Sequence, residues 1–184
     1  MDKVEVVEEI SEENITLKKV SLDDAQFFFN SLREKNQTKF LSLGPLVDVN
    51  HAKKLINNYL EYWDNYLQYN YVILVKLATN EIKKVGSISL WNISWLHRRA
   101  EIGIWINTKY WNQGYGKKAI TLIKNIGFFH LNLNRIESHV AMENERSIKM
   151  FKASGFEEEG ILRKYLNFRG TFFDAKVLAC LNPT

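Results

Sequence analysis

The stretch Trp111-Asn112-Gln113-Gly114-Tyr115-Gly116-Lys117-Lys118-Ala119 follows an apolar, strand-like segment and opens a long amphipathic pattern. Backbone N–H groups in the first turn of a helix have no partner within the helix, and the helix dipole favours negative charge there. Gly114 and Gly116 carry no side chain, so a ligand can approach the backbone closely. The sequence therefore predicts a phosphate-binding loop. Its expected members are Gln113, Gly114, Tyr115, Gly116 and Lys117.

Two other phosphate-binding motifs can be compared with this stretch. A P-loop requires Gly-x-x-x-x-Gly-Lys-Ser/Thr, but Trp111 stands at the first glycine position and Lys118 at the hydroxyl position, which excludes it. The dinucleotide pattern Gly-x-Gly-x-x-Gly/Ala is met formally by residues 114–119. Its ribose-binding acid would be Glu137, which lies near the start of a predicted strand and not at its carboxyl end. The dinucleotide interpretation is disfavoured but stays open.

Length and composition indicate a single globular domain. With 184 residues, 46% of them hydrophobic, the chain can bury one substantial core. We assign residues 14–184 to this domain and residues 1–13 to an acidic N-terminal segment. No apolar run is long enough to span a membrane, and the acidic start is unlike a signal peptide. Cys180 has no other cysteine to pair with, which favours a reducing cytoplasm.

Charge and ligand-type residues narrow the partners. The formal net charge of +4 suits an anionic ligand. The lysines are dispersed and no nucleic-acid motif is visible, so we expect neither direct nucleic-acid binding nor a membrane partner. Without paired Cys or regularly spaced His, no metal site is expected.

Hydrophobic periodicity and turn residues predict an α+β fold. Strands are predicted at residues 14–20, 71–77, 84–91, 99–107, 135–140, 156–168 and 171–181. Helices are predicted after Ser21, at residues 50–68, at residues 114–130 and after Asn144. Phe129 belongs to the expected apolar face of the third helix. Clustered strands with a few inserted helices indicate a mixed sheet.

The segment that follows the predicted strand at residues 135–140 completes a family resemblance. Residues 144–156 read as Asn-x-x-Ser, one short helix and then Gly-Phe. The markers, in order, are Asp24-Ala25, Ala100-Glu101-Ile102-Gly103, Trp111-x-x-Gly114-x-Gly116, Arg135-Ile136-Glu137, Asn144-x-x-Ser147 and Gly155-Phe156. Together they resemble the GNAT superfamily of acyl-CoA N-acyltransferases, and most closely its RimJ/RimL-like branch of protein N-terminal acetyltransferases. The resemblance runs from about Ile15 to Leu181. It implies a GNAT-like α+β fold in three layers, with a mixed, mostly antiparallel central sheet flanked by helices.

Two carboxylates are candidates for the catalytic base. Alternation along residues 100–107 puts Glu101 beside Gly103 on one strand face, which leaves room for a substrate next to a proton acceptor. The resemblance implies that Glu101 acts as the general base, commonly through water. It makes Glu137 a second candidate, as base or as ligand of the acceptor amine, and a structural role stays open for both. An apolar site raises the pKa of a carboxylate toward neutrality, and we expect this of the base.

The resemblance also assigns the cofactor-binding residues. It implies acetyl-CoA as cosubstrate, with its pyrophosphate on the loop at residues 113–117. The pantetheine arm would pair with the backbone of Ile104, Trp105 and Ile106, whose N–H groups would stabilise the tetrahedral oxyanion. Asn144 and Ser147 should face the thiol end of the cofactor.

Protonation of the leaving thiolate needs a donor other than the usual one. Many GNAT enzymes carry a Tyr seven residues after the Asn, but this chain has Phe151, which cannot donate a proton. Ser147 lies one turn earlier on the same helical face. We therefore predict Ser147, or water, as the donor.

The sequence thus predicts a cytoplasmic enzyme that moves acetyl directly from acetyl-CoA to an amine. The favoured acceptor is a protein N-terminal α-amine, such as that of a ribosomal protein. Two alternatives stay open: a small amine (a polyamine, an amino acid or an aminoglycoside) as acceptor, and a non-catalytic acyl-CoA-binding module. The expected partners are acetyl-CoA and the acceptor, and a homodimer is one option for the oligomeric state.

Overall fold

One sheet of eight strands organises the part of the chain that the structure describes. The computed structural model covers residues 6–183, so residues 1–5 of the predicted acidic segment and Thr184 lie outside it. The strands are β1 (Glu9–Glu12), β2 (Ile15–Lys19), β3 (Tyr69–Lys76), β4 (Ile82–Ser94), β5 (Arg99–Ile106), β6 (Arg135–Ala141), β7 (Glu157–Phe168) and β8 (Thr171–Leu181). Their order is β1-β2-β3-β4-β5-β6-β8-β7, and only β5 and β6 pair in parallel. The predicted mixed, mostly antiparallel sheet is confirmed.

Helices cover both faces of this sheet. In the described range they are α1 (Ala25–Leu32), α2 (Val49–Asp64), α3 (Tyr115–Asn125) and α4 (Glu145–Lys152). Residues of α1 and α2 form one core cluster with Trp105, whereas residues of α3 and α4 share a second cluster with Ala100 and Ile102. Because alternate side chains of β5 point to opposite faces, this strand separates the two cores. No helix within residues 6–183 has both the length and the apolar character needed to cross a membrane.

β5 and β6 diverge soon after they begin. Their pairing covers only Arg99–Glu101 and Arg135–Glu137, and beyond it β5 stays with β4 while β6 stays with β8. Backbone groups of successive residues point to opposite edges of a strand. The N–H of Asn107 points toward β4, where it donates to the Val85 carbonyl at 2.8 Å. The odd-numbered residues of β5 therefore direct their backbone groups to β4, and the even-numbered residues direct theirs to the opposite edge, into the split. At its base, the Ser138 hydroxyl donates to the Ile102 carbonyl at 3.3 Å.

A π turn changes the end of the third predicted helix. α3 is followed by the turn Ile126–His130, which is closed by a backbone bond of 2.9 Å from the N–H of Leu131 to the first residue of the turn. The extra residue in a π turn rotates the following side chains about the helix axis. Phe128 is therefore buried and Phe129 is 61% exposed. The expectation that Phe129 packs on the sheet was wrong.

Candidate active site

A cavity of about 750 Å³ lies at the carboxyl end of β5, where β6 has diverged from it, and reaches the starts of α3 and α4. All but one of the predicted cofactor-binding residues line this cofactor cavity: Ile104, Trp105, Ile106, Gly114, Tyr115, Gly116, Lys117, Asn144 and Ser147. Gln113 does not, because its exposed side chain donates to the Lys109 carbonyl at 3.3 Å. The divergence of two strands thus brings residues from three separate sequence segments to one cavity.

Gly114 and Gly116 keep the start of α3 uncovered for different reasons. Gly114 caps the helix with a φ of 78°, a left-handed conformation that side chains disfavour. Gly116 is buried, and a Cβ at this position would collide with the Met150 sulfur. The free N–H groups of the first turn therefore lie open beside the cavity. Together with the helix dipole, they suit an anionic ligand.

Trp111 and Arg146 complete the wall of the cofactor cavity in a way that the sequence did not reveal. The Arg146 guanidinium lies 3.1 Å from the centre of the Trp111 ring, in a cation–π contact. The Trp111 indole N–H donates to the Ile106 carbonyl at 2.7 Å, and the Gln37 amide donates to the same oxygen at 3.0 Å. Among the described residues, no side chain bonds the backbone of Ile104, which leaves its N–H and carbonyl directed into the split.

A second cavity of about 540 Å³ lies under α2, on the same sheet face as Glu101. This acceptor cavity meets the cofactor cavity, because both are lined by Phe40, Leu41, Ile104, Trp105, Asn144 and Ser147. Its remaining wall is mainly neutral polar and aromatic. Glu101 is the one formally charged side chain among the described residues that line it.

Glu101 lies on the floor of the acceptor cavity, with its side chain only 5% exposed. The Asn92 amide donates to its Oε1 at 2.6 Å, and the Nδ1 of His139 lies 3.1 Å from its Oε2. Burial raises the pKa of Glu101, but the contacts with His139 and Asn92 and the charge of Arg99 outweigh burial and hold that pKa below its ordinary value. The expectation that the pKa of the base is raised therefore does not apply to Glu101. Its carboxylate is ionised at neutral pH.

His139 is the functional candidate that sequence reasoning missed. It lines the acceptor cavity, and its ring packs edge-on against Tyr165 with 4.8 Å between ring centres. Its Nδ1 is buried, and its contact with Glu101 is bent away from a straight hydrogen bond. The signal was its place on the predicted strand, two residues after Glu137 and hence on the same face.

Within residues 6–183, no three His, Cys, Asp or Glu side chains come together as a metal site.

Glu137 lies outside both cavities. Its carboxylate is bound by Arg99 at 3.1 Å and by Arg135 at 2.7 Å, and Arg135 continues to Glu159 at 2.6 Å. Glu137 is the register partner of Glu101 across the parallel pair. The same sheet face therefore carries one carboxylate in the acceptor cavity and one in an ion-pair network.

Asn144 and Ser147 lie where the two cavities meet. The Asn144 carboxamide oxygen caps α4 by accepting the Ser147 N–H at 3.4 Å. The Ser147 hydroxyl forms no hydrogen bond within the described part of the chain. Phe151, one turn further on, is fully buried against Phe156 with 5.0 Å between ring centres. Ser147 therefore presents the free hydroxyl at the junction.

Comparisons with known proteins agree with this arrangement. The acetyltransferase (GNAT) domain family matches residues 14–157. The uncharacterized N-acetyltransferase p20 of Bacillus licheniformis is 31% identical over 175 residues, which cover 95% of this chain and 97% of p20. The structure of spermidine N-acetyltransferase from Vibrio cholerae in complex with CoA and spermine has a TM-score of 0.79 at 24% identity, covering 93% of this chain and 97% of that one. Ribosomal-protein-S5-alanine acetyltransferase from Vibrio fischeri has a TM-score of 0.79 at 22% identity, covering 95% of this chain and 97% of that one.

These matches confirm the predicted GNAT fold. They include a polyamine acetyltransferase and a ribosomal-protein acetyltransferase at nearly the same similarity. They therefore do not select the RimJ/RimL-like branch or the acceptor, and the distinction rests on the residues of the acceptor cavity.

Proposed function

The chain belongs to the GNAT acetyltransferase family and is an acetyl-CoA-dependent N-acetyltransferase, and we propose that its acceptor is a protein N-terminal α-amine, as in the RimJ/RimL-like branch. The observation that carries the proposal is the junction of two cavities at Ile104 and Ser147. One cavity suits an anionic cosubstrate, and the other has an ionised carboxylate on its floor. An acyl group held in the first can therefore reach an amine held in the second.

The cofactor cavity fits acetyl-CoA in charge and in backbone geometry. The start of α3, with Lys117 and Arg146 beside it, offers free N–H groups and positive charge to a pyrophosphate. The free backbone of Ile104 offers one donor and one acceptor to an amide-containing arm, as an added strand would use them. When bound there, acetyl-CoA supplies the acetyl thioester.

The acceptor cavity supports a peptide more than a polyamine. A polyamine carries several cationic nitrogens, and each buried ammonium needs a charged or strongly polar partner. Among the described lining residues, Glu101 offers the one carboxylate, so a second or third ammonium would have only neutral polar partners. A peptide N-terminus carries one ammonium, followed by neutral amides.

Neutral serines in the cavity wall suit the amides of a peptide. The Ser87 hydroxyl donates to the Tyr71 carbonyl at 2.8 Å, and the Ser89 hydroxyl lies 3.5 Å from the Gly103 carbonyl. Each hydroxyl that donates to the backbone keeps lone pairs for an incoming N–H group. The wall therefore offers hydrogen-bond acceptors without net charge.

The residues at the junction divide the chemistry between them. Glu101 attracts the acceptor ammonium, which must lose a proton before its nitrogen can attack the thioester. The N–H of Ile104 is directed toward the split, where negative charge develops on the carbonyl oxygen. The hydroxyl of Ser147, or a water that it holds, protonates the leaving thiolate.

The experiment is CoA thiol release from acetyl-CoA by the purified protein with a panel of amines. A lysine-free peptide with a free N-terminus should be acetylated, and the same peptide with a blocked N-terminus should give only the background rate. Faster turnover of spermidine than of every free peptide contradicts the proposed acceptor and favours a polyamine. Binding of acetyl-CoA without release on any amine contradicts catalysis, and affinity for NAD in place of CoA supports the dinucleotide alternative. The cytoplasmic location and a homodimer stay predictions.

A further inference from the structure

Because Glu101 is ionised and its pKa is lowered, it is a poor acceptor for the proton that the acceptor ammonium must lose. A carboxylate whose pKa lies below its ordinary value is a weak base toward an ammonium. It holds the positive charge well, but proton transfer to it is uphill. A side chain that exchanges protons near neutral pH is needed beside it, and imidazole is the side chain of that kind.

We propose that His139 is the proton acceptor of the reaction, with its imidazole oriented by Glu101. This proposal rests on the proposed function and adds to it the atom that takes the proton. His139 lines the acceptor cavity, and its buried Nδ1 lies 3.1 Å from Glu101 Oε2. The Glu101 carboxylate is the acceptor nearest to Nδ1, and although the contact is bent, it favours the tautomer with the proton on Nδ1 and the lone pair on Nε2, the nitrogen on the other edge of the ring. That tautomer is the one that a base requires.

The surroundings of His139 favour this role. From β5, Glu101 faces the ring, and the charge of Arg99 reaches that carboxylate. From β7, Tyr165 packs against the ring, and from β8 the register partner is the uncharged Val177. On β6 itself, Glu137 is neutralised by its two arginine partners. Among the described residues, the one ionised group in contact with the imidazole is therefore the Glu101 carboxylate.

The proton and electron balance is complete without another reagent. The acceptor ammonium gives one N–H proton to Nε2 of His139, and the nitrogen keeps the electron pair. That pair forms the C–N bond with the thioester carbon, and the C–S bond breaks with its electrons on sulfur. The second N–H proton, acidic once the nitrogen is acylated, ends on the thiolate by way of Ser147 or water. The imidazolium then returns its proton to solvent.

The first test compares kcat/KM against pH for the unaltered protein and two variants, His139→Gln and His97→Gln. His97 is exposed and lies outside both cavities, so its variant is the matched control. His139→Gln should lower kcat/KM at neutral pH by about 10²- to 10⁴-fold, the range for a lost general base. The loss should shrink as pH rises, because solvent then delivers the acceptor already deprotonated. A loss that stays constant across pH, or no loss at all, overturns the proposal.

The second test needs neither acceptor nor turnover. ¹⁵N NMR of the imidazole of His139 in the unaltered protein should show the proton on Nδ1 and a free lone pair on Nε2. Glu101→Gln should abolish that preference. A proton on Nε2 in the unaltered protein overturns the role of His139 even when catalysis is normal. If no amine gives thiol release, the proposed function fails, and the role of His139 fails with it. If thiol release is normal but the proton lies on Nε2, the proposed function stands and only the assignment of the base is wrong.

Discussion

Placing a carboxylate at Gly116 tests whether the start of α3 binds the cofactor. Gly116 is buried, and a Cβ there meets the Met150 side chain before anything else. Met150 is a flexible thioether, so it can move aside at modest cost. Gly116→Asp therefore adds a negative charge at the first turn of the helix with limited disturbance of the fold.

The two effects of this charge have opposite signs. Without ligand, a carboxylate in the first turn stabilises a helix by about 0.3–1 kcal/mol, which offsets the displacement of Met150. With a pyrophosphate about 5 Å away, each charge pair costs about 3 kcal/mol at an effective dielectric constant of about 20. Salt screening reduces that figure. Since 1.4 kcal/mol is tenfold in affinity, we expect acetyl-CoA to bind about 100-fold more weakly.

The assay is thermal unfolding with and without acetyl-CoA at a concentration 100 times the Kd of the unaltered protein. Mass action then stabilises the unaltered protein by about 2.7 kcal/mol and Gly116→Asp by about 0.4 kcal/mol. For a chain of this length, about 2–4 °C correspond to 1 kcal/mol, so a Tm shift of about 5–10 °C should fall to about 1 °C. Without ligand, the two Tm values should differ by no more than a few degrees.

Gly116→Asn is the matched control, because it adds the same bulk without the charge. It should retain most of the shift produced by acetyl-CoA. Equal losses in Gly116→Asn and Gly116→Asp would show that bulk and not charge is responsible. A full Tm shift in a folded Gly116→Asp protein would refute the assignment of the loop.

Four further outcomes are expected. Glu101→Gln should lower turnover by about 10²- to 10⁴-fold, because the amide neither attracts the acceptor ammonium nor orients His139 for proton transfer. Glu137→Gln should lower the unfolding midpoint in urea and leave single-turnover rates of the folded fraction nearly unchanged; the reverse pattern moves the catalytic carboxylate to Glu137. The partners of Glu101 lower its pKa in the folded protein below the ordinary value of 4.5. The carboxylate therefore contributes its full stabilisation above pH 4.5, and that stabilisation is lost as the pH falls through the lower folded pKa. In Glu101→Gln the free energy of unfolding should fall less steeply at acid pH, and an unchanged slope contradicts the shift. Ser147→Ala should slow single turnover and leave the affinity for acetyl-CoA nearly intact, because the hydroxyl acts as charge builds on sulfur; an unchanged rate removes Ser147 from the mechanism. Tyr69→Phe should leave the free energy of unfolding in urea unchanged or raise it by about 1 kcal/mol, since its buried hydroxyl has no partner among the described residues; a clear loss of stability would reveal an unseen hydrogen bond.

Most of the fold could be predicted because its elements have clear periodicity. In β5, Trp105 joins one core and Ile102 the other, as the alternation of a strand requires. One strand was missed, because β1 (Glu9–Glu12) lies in the predicted acidic segment and pairs with β2 at the edge of the sheet. The errors in the helices lie where backbone conformation departs from a regular helix. The second helix stops at Asp64 instead of residue 68, since Tyr66 takes a left-handed φ of 59° that an α-helix cannot accommodate. Hydrophobic periodicity carries no information about such single-residue departures.

The candidate site was harder to predict because it depends on where strands separate. The loop residues could be predicted from the short motif around Gly114 and Gly116, and glycine is required locally at Gly114 by its left-handed φ of 78°. Arg146 gives no such signal, since its contact with Trp111 exists only after α3 and α4 are placed. His139 was visible as a strand residue, but its proximity to Glu101 depends on the register of β5 and β6. Long-range register is not encoded in any short motif.

Strand divergence also explains why two similar carboxylates have different surroundings. Glu101 and Glu137 are register partners on one sheet face, so period-two alternation alone treats them alike. The parallel pairing ends at these two residues, and the split begins beyond them. Arg99 and Arg135 lie two residues before them, in the paired part of the sheet, and both bind Glu137. Glu101 is bound by Asn92 and lies against His139, which is already on the separated arm of β6. One carboxylate is thus neutralised where the strands pair, and the other remains available where they part, beside the imidazole that we propose as the proton acceptor.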